Sequence, residues 1–320
     1  MDFLVDVNIA VFNHALYLEK TLNSILDQKT NFPFRLLIGD DCSTDGSIEI
    51  LKEFEKKAPD KIKVIYQERN LGLNAPERNG IILLKNSEAK YIALVDGDDY
   101  WTDENKLQKQ IDFLENNDQY VICFTRGTIY NDFTKLSNIN SEISTGVELD
   151  IDDFIEGNNQ LTTTVVFKKN ADFILPTWFS QQPFGDWSLY LLLLYSSKKK
   201  AFCLPDITAV YRIHGSGIHG SMHESNEKLI KAYKMHLAFY KVIKKELFKN
   251  RDERSLRAAI SKRVSIITQL YSGQNQIFQG VKINIVYLLK GLSWKVFVQN
   301  IFSLQKQFIK TLFLNKRNCL

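Results

Sequence analysis

The chain has 320 residues, room for one large domain or two small ones, and its 44% hydrophobic residues can build a core. Cys42, Cys123, Cys203 and Cys319 show no C-x-x-C spacing, which argues against a zinc framework or a disulfide scaffold and fits a reducing compartment. The net charge of +4 hides an asymmetry: residues 228–320 hold 19 Lys and Arg against 3 Asp and Glu, and the rest of the chain is acidic. A split this sharp points to an anionic partner for the basic part. The start, Met1-Asp2-Phe3-Leu4-Val5-Asp6, has neither the basic opening nor the apolar run of a signal peptide. No uninterrupted apolar stretch reaches the ~20 residues that span a bilayer. The expected setting is the cytoplasm, or the cytosolic face of a membrane as a peripheral protein.

Along the chain, strand and helix signals alternate over the first ~130 residues in the α/β manner. Val7–Val11 reads as a buried strand, and Leu18, Leu22, Ile25 and Leu26 then recur at helical spacing. Phe34–Ile38 is a second strand, and a helix is expected over Ser47–Lys57. Ile62–Tyr66 is a third strand, and a helix is expected over Glu77–Lys85. Tyr91–Val95 is a fourth strand running into Asp96-Gly97-Asp98-Asp99. Such order implies parallel strands with right-handed crossovers, whose ligands sit at the carboxyl ends of the strands. Further on, strands are expected over Tyr120–Phe124, Thr162–Phe167 and Thr208–Ile213, a strong helix over Trp187–Ser196, and a loop over Asn131–Gly146. From Glu224 the pattern is helical to the end, with no internal repeat.

Two acidic clusters end strands. In Asp40-Asp41-Cys42-Ser43-Thr44-Asp45-Gly46-Ser47, a turn with a helix cap explains Ser43, Asp45 and Ser47. It does not explain adjacent carboxylates at a sheet mouth, which repel unless a cation or a donor lies between them. The N–H of a pyrimidine ring is one such donor. In Asp96-Gly97-Asp98-Asp99, three carboxylates within four residues form a hard-oxygen set of the kind Mg²⁺ or Mn²⁺ prefers, and Gly97 allows close backbone approach to a phosphate. An acidic loop capping the helix after Asp103 is the competing reading of this segment taken alone.

In order, Asn8-Ile9-Ala10-Val11-Phe12-Asn13, Asp40-Asp41-x-Ser43-Thr44-Asp45-Gly46-Ser47, Arg69-Asn70-Leu71-Gly72 with Arg78-Asn79-x-Ile81, and Asp96-Gly97-Asp98-Asp99-x-Trp101 resemble family 2 glycosyltransferases of the GT-A fold, over roughly residues 5–215. The helical pattern and the excess of Lys and Arg add a helical basic extension over 224–320. The resemblance implies a Rossmann-like, mostly parallel sheet flanked by helices. It implies a domain over 1–223, with a donor half of about 1–118 and an acceptor half of 119–223. It implies nucleotide-sugar contacts at Phe12, Asn13, Asp40, Asp41, Asn70, Arg78, Asp96 and Arg212. In that reading Asp41 accepts from the base with Asp40 in support. Asp96 faces the ribose and the metal, and Asp98 and His214 (in Tyr211-Arg212-Ile213-His214) hold Mn²⁺ or Mg²⁺. Two features depart from the family pattern: Cys42 stands where glycine is usual, and the stretch from Asp98 to Leu107 is one residue longer.

Phe184-Gly185-Asp186-Trp187 opens the strong helix. Asp186 is a good helix cap on its own. The resemblance places the catalytic base in an acidic dipeptide here, and with Gly185 replacing the first acid the role falls on Asp186. His214, His219 and His223 alternate with glycines, which predicts a loop closing over bound donor rather than a zinc site. In the tail, Trp294, Phe297, Ile301, Leu304, Phe308 and Leu312 make one helical stripe, with Lys295, Lys306 and Lys310 beside and beyond it. That stripe either packs on the catalytic domain or lies in an anionic membrane surface. Nucleic acid is not expected, since no binding module accompanies the charge.

The resemblance implies an inverting transfer from a nucleoside diphosphate sugar, expected to be a UDP-sugar, to a saccharide or lipid-linked saccharide in bacterial surface polysaccharide assembly. A sugar nucleotidyltransferase would need a Gly-rich basic loop where Phe12-Asn13-His14-Ala15 stands. A non-catalytic scaffold would have no use for Asp41, Asp96, Asp98 and Asp186.

Overall fold

A computed structural model describes residues 2–72, 75, 77–140, 144–170, 173–215, 225–249 and 251–317. His219, His223 and Cys319 of the sequence reading lie outside the described residues. The contact pattern divides the chain into two units, residues 1–154 with 158–214, and residues 155–157 with 215–320.

The first unit is built on one mixed sheet. Its first half consists of β1 (Val5–Val11), β2 (Phe34–Asp40), β3 (Ile62–Tyr66) and β4 (Tyr91–Asp96), in the order β3-β2-β1-β4 and all parallel. The crossovers are α1 (Ala15–Leu26), α2 (Ser47–Lys57) and α3 (Asn79–Asn86). Val5, Val7, Ile9 and Val11 of β1 are buried together with Leu36 and Ile38, beneath Leu18, Leu22 and Ile25 of α1. These alternate along β1 and so line one face of the sheet, while on its other face Asp6 and Asn8 are buried too, Asp6 paired with Arg35 and Asn8 Oδ1 accepting from Ser87. Register sets the site: Val11 pairs with Asp40 and Ala10 with Asp96, so the end of β1 lies between the two acidic clusters.

The second half adds β5 (Tyr100–Trp101), α4 (Lys106–Asn116), β6 (Tyr120–Asn131), β7 (Leu136–Ile139), β8 (Glu148–Leu149), α5 (Ile151–Glu156), β9 (Val166–Lys168), α6 (Gly185–Ser197) and β10 (Lys200–Ile213). β9 joins β4 and β6 antiparallel to both, while β6 and β10 run parallel. Three expectations shift. The segment read as a strand over 162–167 is a 3₁₀ turn over Thr162–Thr164 before β9, because Val165 and Thr164 bond back to Thr162 and Leu161 instead of to a ladder. The expected loop after Asn131 contains β7, which returns antiparallel along β6. The helix expected from Glu77 begins at Asn79, since Arg78 is extended.

The second unit is helical: α7 (Asn226–Leu247), α8 (Arg254–Gly273), α9 (Ile277–Leu288) and α10 (Trp294–Arg317). Val264, Ile267 and Tyr271 of α8 form its core with Leu292, Ile283 and Phe297. A buried polar ladder crosses it: Asn300 Nδ2 donates to Asn284 Oδ1, and Asn284 Nδ2 to Thr268 Oγ1, each at 2.7 Å. Among the described residues no helix is long and apolar enough to cross a membrane.

Candidate active site

Asp40 is fully buried, and its two oxygens accept the Ser43 N–H at 3.0 and 3.1 Å. Burial raises its carboxyl above the usual range despite those bonds. Asp40 therefore shapes the turn behind the site. That turn places Cys42 at φ +62°, a left-handed conformation in which a Cβ is strained, which accounts for the family's usual glycine. Asp41 is nearly buried and receives the Leu71 and Gly72 N–H groups at 2.8 and 3.1 Å, tying the 70–72 loop to the end of β2. Asn70 itself is exposed. Asn13, also at positive φ, latches the neighbouring turn: its N–H meets Ser43 Oγ and its Oδ1 takes the Thr44 N–H. Phe12 beside it stands half exposed.

The second cluster gathers more than the sequence shows. Asp98 Oδ2 lies 2.8 Å from His214 Nε2 and 3.6 Å from His14 Nε2. Burial opposes the charge on Asp98, but the hydrogen bond from His214 and the nearby imidazoles outweigh it and hold the carboxyl below its usual range. Asp96 has no such help. Burial first, and then repulsion from Asp98 and Asp186, push it up to about 7. Asp99, fully buried, accepts the Arg212 N–H at 2.9 Å; its carboxyl is raised well above normal by burial and by its two acidic neighbours. The Arg212 guanidinium lies over the rings of Tyr17 and Tyr100, 4.8 Å from each centroid. A Cβ on Gly97 would fall 2.7 Å from His14 Nδ1 and 3.0 Å from Val11 Cγ2, so that glycine makes room for protein atoms at the end of β1.

Asp186 opens α6 and interacts electrostatically with Asp96. Its Oδ1 accepts its own helix's Trp187 N–H at 2.7 Å, while Oδ2 accepts from Asn158 Nδ2 at 2.7 Å and Thr162 Oγ1 at 3.4 Å. Arg78 reaches the segment before α6. Its Nη1 donates to the Gln182 carbonyl at 2.6 Å, and its Nη2 would lie 3.2 Å from a Cβ on Gly185. Gly185 thus leaves the space that this guanidinium occupies beside Asp186.

The structure therefore brings Asp96, Asp98, His214 and Asp186 into one region, with Arg78 beside Asp186 and Arg212 behind Asp99. Asp41, Asn13 and Asn70 belong to the neighbouring β1–β2 rim. His14, Asn158 and Thr162 were not legible: a single His after Asn13, and an Asn and a Thr in a polar segment, carry no spacing signal. A repelling carboxylate group with imidazoles at its edge suits a divalent cation. Among the described residues no three His, Cys, Asp or Glu side chains lie together so that they could hold a metal ion by themselves.

Comparison with known proteins bears on family and fold. The family model described as "Glycosyl transferase family 2" matches residues 6–175. An uncharacterized protein of Mycobacterium tuberculosis (strain ATCC 25618 / H37Rv) is 31% identical over 224 residues, which are 68% of this chain and 61% of that protein. The chain thus spans less than two thirds of that relative's length. A Bacillus subtilis glycosyltransferase named for teichuronic acid biosynthesis, TuaG, is 29% identical over 70% of this chain and 85% of its own length. Among solved structures, Staphylococcus aureus TarS 1–349 in complex with UDP-GlcNAc aligns with a TM-score of 0.64 at 15% identity, over 97% of this chain and 92% of that one. The mannosyltransferase PcManGT of Pyrobaculum calidifontis, in complex with GDP-Man and Mn²⁺, aligns at 0.53 and 15% identity, over 98% and 88%. At these identities the structural likeness establishes the fold, GT-A.

Proposed function

The chain belongs to glycosyl transferase family 2, and from that premise we propose that it is a metal-dependent, inverting hexosyl- or N-acetylhexosaminyl-transferase. Its donor is a nucleoside diphosphate sugar, a UDP-sugar by preference, and its acceptor a saccharide or lipid-linked saccharide of bacterial surface polysaccharide. Residues 1–223 form the transferase domain, with a donor half to about 118 and an acceptor half to 223. Residues 224–320 form a helical region that holds the enzyme at the anionic cytosolic face of the membrane, where a lipid-linked acceptor would lie.

The observation that carries this reading is Asp186 at the mouth of α6, beside Asp96 and backed by Asn158 and Thr162. A carboxylate so placed removes the proton of an acceptor hydroxyl as that oxygen attacks the anomeric carbon. The N-terminus of α6 steadies its charge, and Arg78 adds a cation on the same side. Asp41, Asn13, Phe12 and Asn70 border the base and ribose, with Asp40 shaping the turn beneath. Arg212, held between two tyrosine rings, secures Asp99 and β10 behind the diphosphate. Asp96, Asp98 and His214 would hold a divalent metal, with phosphate oxygens and water completing its sphere and His14 at the edge. When bound, Mn²⁺ or Mg²⁺ supplies positive charge against the departing diphosphate. A hydrogen bond to Asp98 and a bond to metal exclude one another at the same His214 nitrogen, since one imidazole nitrogen cannot donate and ligate at once.

The test is calorimetric titration of UDP-, GDP- and dTDP-sugars with and without Mn²⁺, followed by NMR of the anomeric configuration of the product. Metal-dependent binding of one donor and an inverted product are expected. A retained configuration, or no donor binding in the presence of metal, would overturn the reading.

A further inference from the structure

The expected tail stripe divides in the folded unit. Leu304 is buried and Phe297 packs in the helical core, whereas Trp294 and Phe308 are exposed; the side chain of Leu312 lies outside the described residues. The inward part thus packs on α8 and α9. What remains outside is a different surface.

α9 and α10 form an antiparallel hairpin. Asn284 meets Asn300, and Gly280 meets Leu304 so closely that a Cβ there would lie 2.7 Å from Leu304 Cδ2. Ile283 and Tyr287 of α9 and Val296 and Phe297 of α10 turn inward to Val264, Ile267 and Tyr271 of α8. By helical periodicity, Phe278, Ile285 and Leu289 then share the opposite face of α9. Trp294, Phe302 and Ile309 share an outward face of α10. These six apolar side chains are 76%, 46%, 83%, 65%, 58% and 44% exposed, respectively. In an antiparallel pair packed on α8 from one side, both stripes fall on the side away from α8. Such a contiguous apolar surface marks an interaction site.

The charges on the same hairpin choose the partner. Lys282, Lys290, Lys295 and Lys306 are exposed around the stripes. The last acidic residue of the chain is Glu253, so nothing on the hairpin neutralises them. A second copy docked face to face would set lysines against lysines with no acid between. An anionic lipid surface offers the opposite charge and an apolar layer for the stripes. We infer that the outer face of the α9–α10 hairpin is a monotopic contact with anionic lipid headgroups, in which Phe278, Ile285, Leu289, Trp294, Phe302 and Ile309 enter the interface and the four lysines bind headgroup charge. This deepens the membrane-associated reading above and is independent of the catalytic roles given to Asp186 and the metal cluster.

The test is flotation of the full chain with vesicles of phosphatidylcholine alone or mixed with phosphatidylglycerol. It compares the wild type, Leu289→Ser/Trp294→Ser/Phe302→Ser, and Lys282→Gln/Lys290→Gln/Lys295→Gln/Lys306→Gln. Circular dichroism and metal-dependent donor binding are measured alongside. All seven positions are exposed, so both variants keep the fold; Leu289→Ser alone serves if the triple variant does not. Expected are binding to the mixed vesicles only and release by high salt. Partitioning should fall about fivefold for each charge removed, and tenfold or more for the triple serine variant, with donor binding unchanged in both. Wild type that ignores anionic vesicles, or serine variants that bind as well as wild type, would overturn the proposal. So would a wild-type dimer in light scattering that the triple variant converts to monomer, since the face would then belong to a second copy. Failure of donor binding in every form, with vesicle binding intact, would count against the transferase reading and leave this one standing.

Discussion

Replacing Asp186 with Asn separates its two possible duties, because the amide keeps the shape and loses the basicity. The Asp186 carboxylate accepts three hydrogen bonds: the Trp187 N–H and Asn158 Nδ2 at 2.7 Å, and Thr162 Oγ1 at 3.4 Å. In Asp186→Asn the amide oxygen retains the Trp187 bond. The new NH₂ faces Thr162, whose hydroxyl can reverse to accept, and Asn158, whose Oδ1 is buried without a hydrogen-bond partner and can turn to receive it. The fold therefore loses about 1 kcal/mol or less, a melting shift of about 2 °C in a chain of this size. Removing a general base costs ~10²–10⁴-fold in rate, about 3–5 kcal/mol of barrier. The assay is release of nucleoside diphosphate at saturating donor and acceptor, beside donor calorimetry and thermal melting. Turnover is expected to collapse while donor affinity stays within about twofold. Asp186→Ala, which removes the acceptor of all three bonds, should add ~1–3 kcal/mol of instability. If Asp186→Asn turns over within about threefold of wild type, Asp186 is only a helix cap, and the base must be sought among other acids such as the exposed Glu156.

Chelation should abolish turnover and weaken donor binding, with Mn²⁺ or Mg²⁺ restoring both and Asp98→Asn reproducing the loss; full activity in chelator contradicts the metal assignment. Cys42→Gly relieves a left-handed Cβ and should stabilise the chain by ~1 kcal/mol in thermal melts without changing turnover, so a lowered melting point would refute the strain. Lys106 is fully buried over the Trp101 ring and donates to Gln110 Oε1 at 2.6 Å, and burial pushes its ammonium down to about 7 from 10.5. Between those values the unfolded chain binds the extra proton, so this group makes stability rise with pH from about 7 to 10.5, by at most ~1.4 kcal/mol per unit. Denaturant titrations should show that slope reduced in Lys106→Met, and identical slopes would show that the lysine carries no such cost.

The features of this protein that depend on neighbouring residues could be read from its sequence alone. Aliphatic runs ending in Asp40 and Asp96, helices at a period of 3.6, and the exact span Ser47–Lys57 are neighbour-level patterns, and they placed both acidic clusters at strand ends before any coordinates. The charge split likewise needs only counting. Tertiary structure decided what depends on distant segments. His14 and His214 stand 200 residues apart in the chain and meet at Asp98 because the register of β1 with β4, and the return of β10, bring them there. Asn158 and Thr162 reach Asp186 from one connecting segment and Arg78 from another, and polar residues of that kind look like any other loop until folding orients them. The tail shows the same limit within a single helix. α10 carries apolar residues on two faces, and periodicity cannot tell which is the core; the close approach at Gly280 and the Asn284–Asn300 bond turned Leu304 inward and left Phe302 outside.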